Sequence, residues 1–592
     1  MWRQLAARRR RQLALLLALM LASALAEVVS LGAVLPFLAV LVAPERLLQQ
    51  PLAAAFAKAL GAGNAADLVL AFTVLFVLAA LAAGAIRMLV LWASTRLSFA
   101  IGVDLSQEVY RRTLYQPYRV HAQRNSSEVI SAIISKIGTS IHVLFQVLSL
   151  CSSVLLLGVL VVALLIIDPF IASVAAIGFG ASYGAISWLF RSRLKTNSEC
   201  IAEKQTQLLK ALQEGLGGIR DVLLDGTQPL YCRIYHEADV QVRRAQSNNM
   251  FIAGSPRYIM EVIGMILIAG LAYGASRHSG GMIAMLPALG ALALGAQRLL
   301  PALQQVYVAW TTIAGSHKSI VDVLMLLQQP LPPEAFLAPP SPLSFREVVR
   351  FEDVRFRYAA EQPWVLDDID FEIPRGARVG IVGHTGSGKS TLLDLLMGLL
   401  APVEGRILVD GCDIGGEHRR AWQRTVAHVP QNIFLADASL AENIAFGVSL
   451  QAIDMPRVRL AAAQAQIASF IESGQEGYGA HVGERGIRLS GGQRQRIGIA
   501  RALYKQASVL IFDEATSALD NVTEAAVMEA IDGLDRDLTI VLIAHRLTTL
   551  RHCDFIIELE HGRIAARGSY EELLDRSQAF HVLARTATSV EP

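Results

Sequence analysis

The 592-residue sequence predicts an α-helical membrane domain of six spans followed by an α/β nucleotide-binding domain with a mainly parallel sheet, and three observations point there. Long apolar runs are confined to the part before Trp310. Beyond Phe351, short strand-like runs alternate with helical ones, the pattern of a mainly parallel sheet. Charge reverses between the two parts, with 27 Lys+Arg against 17 Asp+Glu up to residue 343 and 26 against 34 after it. Hydrophobic residues make up 53% and charged residues 18%, which excludes disorder, and the length excludes a single compact core. The five cysteines have no paired spacing, so neither a disulfide framework nor a zinc site is expected.

Four apolar runs exceed the roughly 20 residues that cross hydrocarbon: Leu13 to Val42, Leu68 to Trp92, Val143 to Ile167 and Phe170 to Phe190. Two more, Met250 to Ala275 and Met282 to Trp310, carry Arg257, Glu261 and Arg298. They count as spans if those charges face protein or water. The first run follows Arg8 to Arg11 but contains Glu27 and Pro36 and is longer than a signal-peptide core, so it reads as a retained span.

With the N-terminus inside, the cytoplasmic segments before residue 250 hold 20 Lys+Arg, whereas the outer loops hold only Arg46, Lys58 and Arg277. Both termini are therefore expected in the cytoplasm. The inner connections, 97–142 and 191–249, are either helical continuations of their spans or irregular loops, and their helical apolar spacing favours the former. In the first outer loop, Pro51 precedes a short apolar segment, Leu52 to Leu60, that suits either a helix on the outer membrane surface or a tethering turn. Six prolines between Pro330 and Pro342 form a linker, dividing the chain into 1–329, 330–343 and 344–592.

In the second domain Arg378 to Val382 reads as a buried strand that runs into Gly383, His384, Thr385, Gly386, Ser387, Gly388, Lys389 and Ser390, then Thr391 and a helical run. This is GxxxxGKS between a strand and a helix, the context the motif requires. Its glycines let backbone N–H groups face phosphate oxygens, Lys389 reaches the β/γ phosphates, and the Ser390 hydroxyl suits Mg²⁺. A second strand, Val509 to Phe512, ends in Asp513 and Glu514, suited to hold Mg²⁺ and to polarise an attacking water.

Between these segments lies Leu489-Ser490-Gly491-Gly492-Gln493. With this motif the chain resembles an ATP-binding cassette (ABC) exporter half-transporter over essentially its whole length. The resemblance implies ATP with Mg²⁺, Tyr358 stacked on adenine, Gln431 linking Mg²⁺ and the water to the membrane domain, His545 at the γ-phosphate, and a cross-dimer loop at Ser517 to Asp520. It also implies that Ser490 and Gly492 complete the nucleotide site of a second copy, which makes a homodimer the expected assembly.

Arg87, Arg257 and Arg298 lie in or beside the spans, where a charge costs about 2.5 to 3.5 kcal/mol on insertion scales. They suit either a basic cavity for an anionic group or internal pairing with Glu27 and Glu261. The surrounding segments resemble the bacterial lipid-linked oligosaccharide flippases. That resemblance implies an anionic lipid-linked glycan as substrate at Arg87, Arg257 and Arg298, membrane lipid at Leu52 to Leu60, and a bacterial inner-membrane location. Exporters of another lipid, a drug or a peptide, and an ATP-gated channel or regulatory membrane ATPase, are the other readings. Nucleic acid is not an expected partner.

Overall fold

The structure is a computed structural model and describes residues 6–33, 37, 65–167, 169–276, 299–514, 521–533, 537–543, 547–578 and 580–581. Leu52 to Leu60 lie outside the described residues. The chain divides into two compact units, Met1–Gln116 with Arg124–Leu331, and Pro117–Gln123 with Pro332–Pro592.

The first unit is built from long helices: Ala7–Gly32, Ala65–Leu114, Ile137–Ile167, Pro169–Gly217 and Gln228–Ser276, with further helical turns over 299–315 and a shorter helix, His317–Leu327. Ala7–Ser30, Val69–Leu114 and Ser126–Ala163 are apolar and long enough to cross a membrane, with mean hydropathies of 2.3, 2.6 and 2.4 over their most apolar 18 residues. Only 28%, 6% and 17% of their most apolar stretches are buried in protein, so these side chains find an apolar environment in lipid. The Phe170 to Phe190 run lies in Pro169–Gly217, and the Met250 to Ala275 run in Gln228–Ser276. Of the Met282 to Trp310 run, the described residues 299–310 are helical.

A helix of 50 residues, such as Ala65–Leu114, is about 75 Å long, well over twice the ~30 Å of hydrocarbon. The inner connections are largely helical rather than irregular, so the long helices continue past the bilayer. Two packed clusters hold this unit. Met20, Ile101, Val109 and Leu327 are fully buried in one; Leu194, Met260 and Tyr307 centre the other.

The second unit opens with a single 3₁₀ turn, Pro333–Phe336, inside the proline-rich stretch. Ten strands follow among the described residues: β1 (Val348–Phe356), β2 (Leu366–Pro374), β3 (Arg378–Val382), β4 (Glu404–Val409), β5 (Cys412–Asp413), β6 (Val426–Val429), β7 (Val509–Asp513), β8 (Thr539–Ile543), β9 (Phe555–Glu560) and β10 (Arg563–Gly568). They form two sheets. One is antiparallel, in the order β2-β1-β4-β5; the other runs β10-β9-β3-β8-β7-β6 and is parallel except at the β10 edge. The buried strands β3, β7 and β8 are near-continuous apolar runs, as a sheet covered on both faces requires. The antiparallel sheet adds to the mainly parallel one that the sequence predicts. It forms because β1 and β2 follow one another with no helix between, so they pair as neighbours.

Candidate functional site

β3 and β7 each have β8 as a neighbour, so their carboxyl ends lie two strand spacings apart, about 10 Å. The phosphate loop leaves one and Asp513 ends the other, which places both at the carboxyl edge where open α/β sheets bind ligands.

The loop is a tight backbone cradle. At Gly383, φ +149, an added Cβ would lie 2.3 Å from the Leu559 carbonyl oxygen. At Gly388, φ +104, it would lie 2.7 Å from the Leu366 side chain. Both positions need glycine. Gly388 then caps the helix Lys389–Leu396, whose first N–H groups have no intrahelical acceptor. Ser387 Oγ is buried without a hydrogen-bond partner among the described residues, an orphaned group that a phosphate oxygen would satisfy. The cradle therefore fits the phosphates of a nucleotide.

Lys389 Nζ donates to the carbonyls of Gly383 at 2.7 Å and His384 at 3.0 Å. Burial lowers its pKa while the Glu514 and Asp513 carboxylates oppose that, so all three belong to one electrostatic cluster. Asp513 is shifted upward by burial and by Glu514, with Lys389 acting against both. Glu514 adopts φ +50, a strained backbone for a residue with a Cβ. Its N–H donates to the Ile543 carbonyl at 3.1 Å, and its Oε2 accepts from Gln431 Nε2 at 2.6 Å. Gln431, two residues past β6, is thus joined to the carboxylate predicted to polarise water.

Tyr358 follows β1, packs edge-on against Phe356 at 5.0 Å, and hydrogen-bonds Thr391 Oγ1 at 3.1 Å. This ties the ring to the phosphate-loop helix. Ser490 and Gln493 form a reciprocal capping box at the start of the helix Gly491–Tyr504: Gln493 N donates to Ser490 Oγ at 3.2 Å, and Ser490 N donates to Gln493 Oε1 at 2.8 Å. Ser490 itself is exposed, and among the described residues neither of these two side chains bonds to the phosphate loop. His545 and Ser517 to Asp520 lie outside the described residues.

Three residues near the site carry no motif. Asp394, one turn beyond Ser390, has its pKa pushed up to about 6 by burial and by Asp513. Tyr118 is shifted upward by Asp394 first, then by burial. Beside it Arg119 donates to the Tyr358 carbonyl oxygen. The short helix Tyr118–Gln123 belongs to this unit although its sequence lies among the membrane helices, and only the fold reveals that placement.

In the first unit, Arg87 Nη1 lies 3.8 Å from Glu27 Oε2, and Arg257 Nε lies 3.1 Å from Glu261 Oε1 one helical turn away. Both internal pairings that the sequence allows are present. They leave the Arg87 and Arg257 side chains 59% and 68% exposed. Arg298 lies outside the described residues.

A helical membrane unit fused to a phosphate-loop domain with its acids and signature helix is the arrangement of a nucleotide-driven membrane transporter. The family described as ABC transporter matches residues 366–517, and the ABC transporter transmembrane region matches residues 32–286. An ATP-dependent lipid A-core flippase of Nitrosococcus oceani is 31% identical over 501 residues, 81% of this chain and 80% of its own. Another protein of that name, from Ralstonia nicotianae, is 42% identical over 238 residues, an alignment that spans 40% of each chain. A solved bacterial Atm1-family ABC exporter with ATP bound superposes with TM-score 0.79 at 27% identity over 98% of both chains. The chain belongs to the ABC transporter family, as a half-transporter with fused transmembrane and ATP-binding domains. Its enzymatic activity is ATP hydrolysis coupled to transport.

Proposed function

We propose that this chain, as a homodimer, flips an anionic lipid-linked saccharide, specifically a polyprenyl-pyrophosphate-linked oligosaccharide, from the cytoplasmic to the outer leaflet of a bacterial inner membrane. ATP with Mg²⁺ is held at two composite sites. Tyr358 stacks on the base, and residues Gly383 to Thr391 hold the phosphates. Ser390, Asp513 and Gln431 hold the ion, which neutralises phosphate charge when bound. Glu514 polarises the attacking water, with His545 at the terminal phosphate and Ser517 to Asp520 crossing between copies. Ser490, Gly491, Gly492 and Gln493 of the other copy complete each site. The capping box supports this division, because it preorganises a helix N-terminus, suited to anions, that makes no side-chain hydrogen bond to its own chain's phosphate loop among the described residues.

The observation that carries the cargo reading is the exposure of Arg87 and Arg257 despite their pairing, since an exposed guanidinium fork suits a diphosphate. With Arg298 they form the head-group site, and Leu52 to Leu60 contact the lipid. The relatives named lipid A-core flippases favour a second reading, a lipid bearing a saccharide core directly.

Reconstituted protein should move a fluorescent polyprenyl-pyrophosphate oligosaccharide across vesicles only with ATP. Glu514→Gln should bind ATP yet lose at least about 100-fold in turnover. The combined Arg87→Gln, Arg257→Gln and Arg298→Gln changes should abolish flipping while basal ATPase stays within about twofold, as expected for residues that belong to the membrane unit and not to the ATP-binding one. Unchanged flipping would remove the head-group assignment, and transport of a lipid A-core conjugate alone would favour the second reading.

A further inference from the structure

The first unit carries a groove of about 870 Å³ between the helices Ala7–Gly32, Ala65–Leu114 and Ile137–Ile167. Its wall is apolar and open: Leu15, Trp92, Phe99, Val103 and Ile134 are between 59% and 71% exposed. Leaving such surface in water costs roughly 25 cal/mol per Å², so the groove calls for an apolar occupant.

The polar side of the groove is cationic. Arg9 is compensated, because its fork donates to Asp104 at 2.8 and 3.3 Å and to Gln12 at 3.0 Å. Arg96 is not: its guanidinium lies 6.0 Å from the centre of the Trp92 ring and has no carboxylate partner among the described residues. Exposed Arg8 and Arg11 add charge on the neighbouring helix. Trp92 ends an apolar run, and Arg96 follows one turn later. That pairing of aromatic ring and cation marks a membrane–water interface, on the side where Lys and Arg accumulate. An apolar groove with an uncompensated guanidinium at head-group level matches an amphiphile whose head is an anion.

We propose that this groove binds an anionic phospholipid of the cytoplasmic leaflet, with its phosphodiester on Arg96 and its acyl chains leaving the groove along Leu19, Trp92 and Ala93. The groove's lining includes neither Arg87 nor Arg257, and the proposal does not depend on the identity of the cargo. Arg is suited to the task because it binds phosphate through a fork while its plane rests on an aromatic face.

Native mass spectrometry of the full-length protein, titrated with phosphatidylglycerol and phosphatidylcholine of identical chains, tests this. Wild type should retain phosphatidylglycerol about fivefold better, Arg96→Gln should lose the preference, and Arg96→Lys should recover part of it. Should Arg96→Gln fail to fold, wild type and Trp92→Phe can be compared in vesicles containing brominated lipid. The quenching that depends on Trp92 should be stronger with brominated phosphatidylglycerol than with brominated phosphatidylcholine. Equal retention of both lipids, an Arg96→Gln protein with the wild-type preference, or equal quenching would overturn the proposal. So would finding this groove filled by a second protein chain or by the lipid-linked saccharide.

Discussion

On β6, His428 shows how one side chain can store a pH dependence that has nothing to do with catalysis. It is largely buried, its Nε2 has no hydrogen-bond partner among the described residues, and burial pushes its pKa down to about 4. The folded chain keeps the ring neutral, whereas the unfolded chain protonates it near 6.5. Its contribution to stability is therefore complete above about 6.5 and is lost as pH falls toward 4. His428→Gln should flatten the decline in thermal midpoint across that window, and an unchanged slope would refute the assignment. At Gly388 the expected effect is on binding. A methyl group there meets Leu366 at 2.7 Å in a left-handed backbone, so Gly388→Ala should abolish nucleotide affinity by equilibrium binding. That Lys389, Asp513 and Glu514 would share one site with the loop glycines was legible in the sequence, because the motifs place them at the ends of buried strands. Asp394 was not, since one carboxylate on an apolar helix becomes unusual only when the fold buries it beside Asp513.

Helices of 49 and 50 residues carry the first unit past the bilayer, and the sequence announced them through polar segments that kept a helical spacing of apolar residues. Their internal break was not announced. Between Ser126–Ser131 and Ile137–Ile167 the chain makes a π-helical turn, Ala132–Lys136, which ends at a buried lysine. Lys136 Nζ meets Asp322 at 2.6 Å, and Lys318 shares that carboxylate at 3.1 Å, tying the turn to the helix His317–Leu327. No local pattern predicts this, because the pair is 186 residues apart. Asp322→Asn leaves Lys136 uncompensated and should cost on the order of 3 kcal/mol in detergent unfolding, whereas replacing both by apolar residues should cost much less. Equal costs would mean that the charges are not coupled. The capping box at Ser439 and Glu442 offers a quieter check: Ser439→Ala should cost about 1 kcal/mol without changing the affinity for nucleotide.

One chain presents a phosphate loop and a signature helix that do not bond to each other among the described residues, and this incompleteness organises the proposed assembly. Charge divides along the same lines, with the membrane half basic and the ATP-binding half acidic. The family was legible because its motifs fall in order along the sequence. The cargo was not, because ATP chemistry is indifferent to it and because Arg87 and Arg257 serve an ion pair as readily as a head group. Cross-complementation in a covalently linked dimer tests the shared site most directly, with one half carrying Lys389→Ala and the other Ser490→Arg. If each site is assembled from two copies, the mixed dimer holds one intact site and should hydrolyse ATP well above either doubly substituted homodimer. If the mixed dimer is as inactive as its parents, each chain works alone and the shared-site mechanism is wrong.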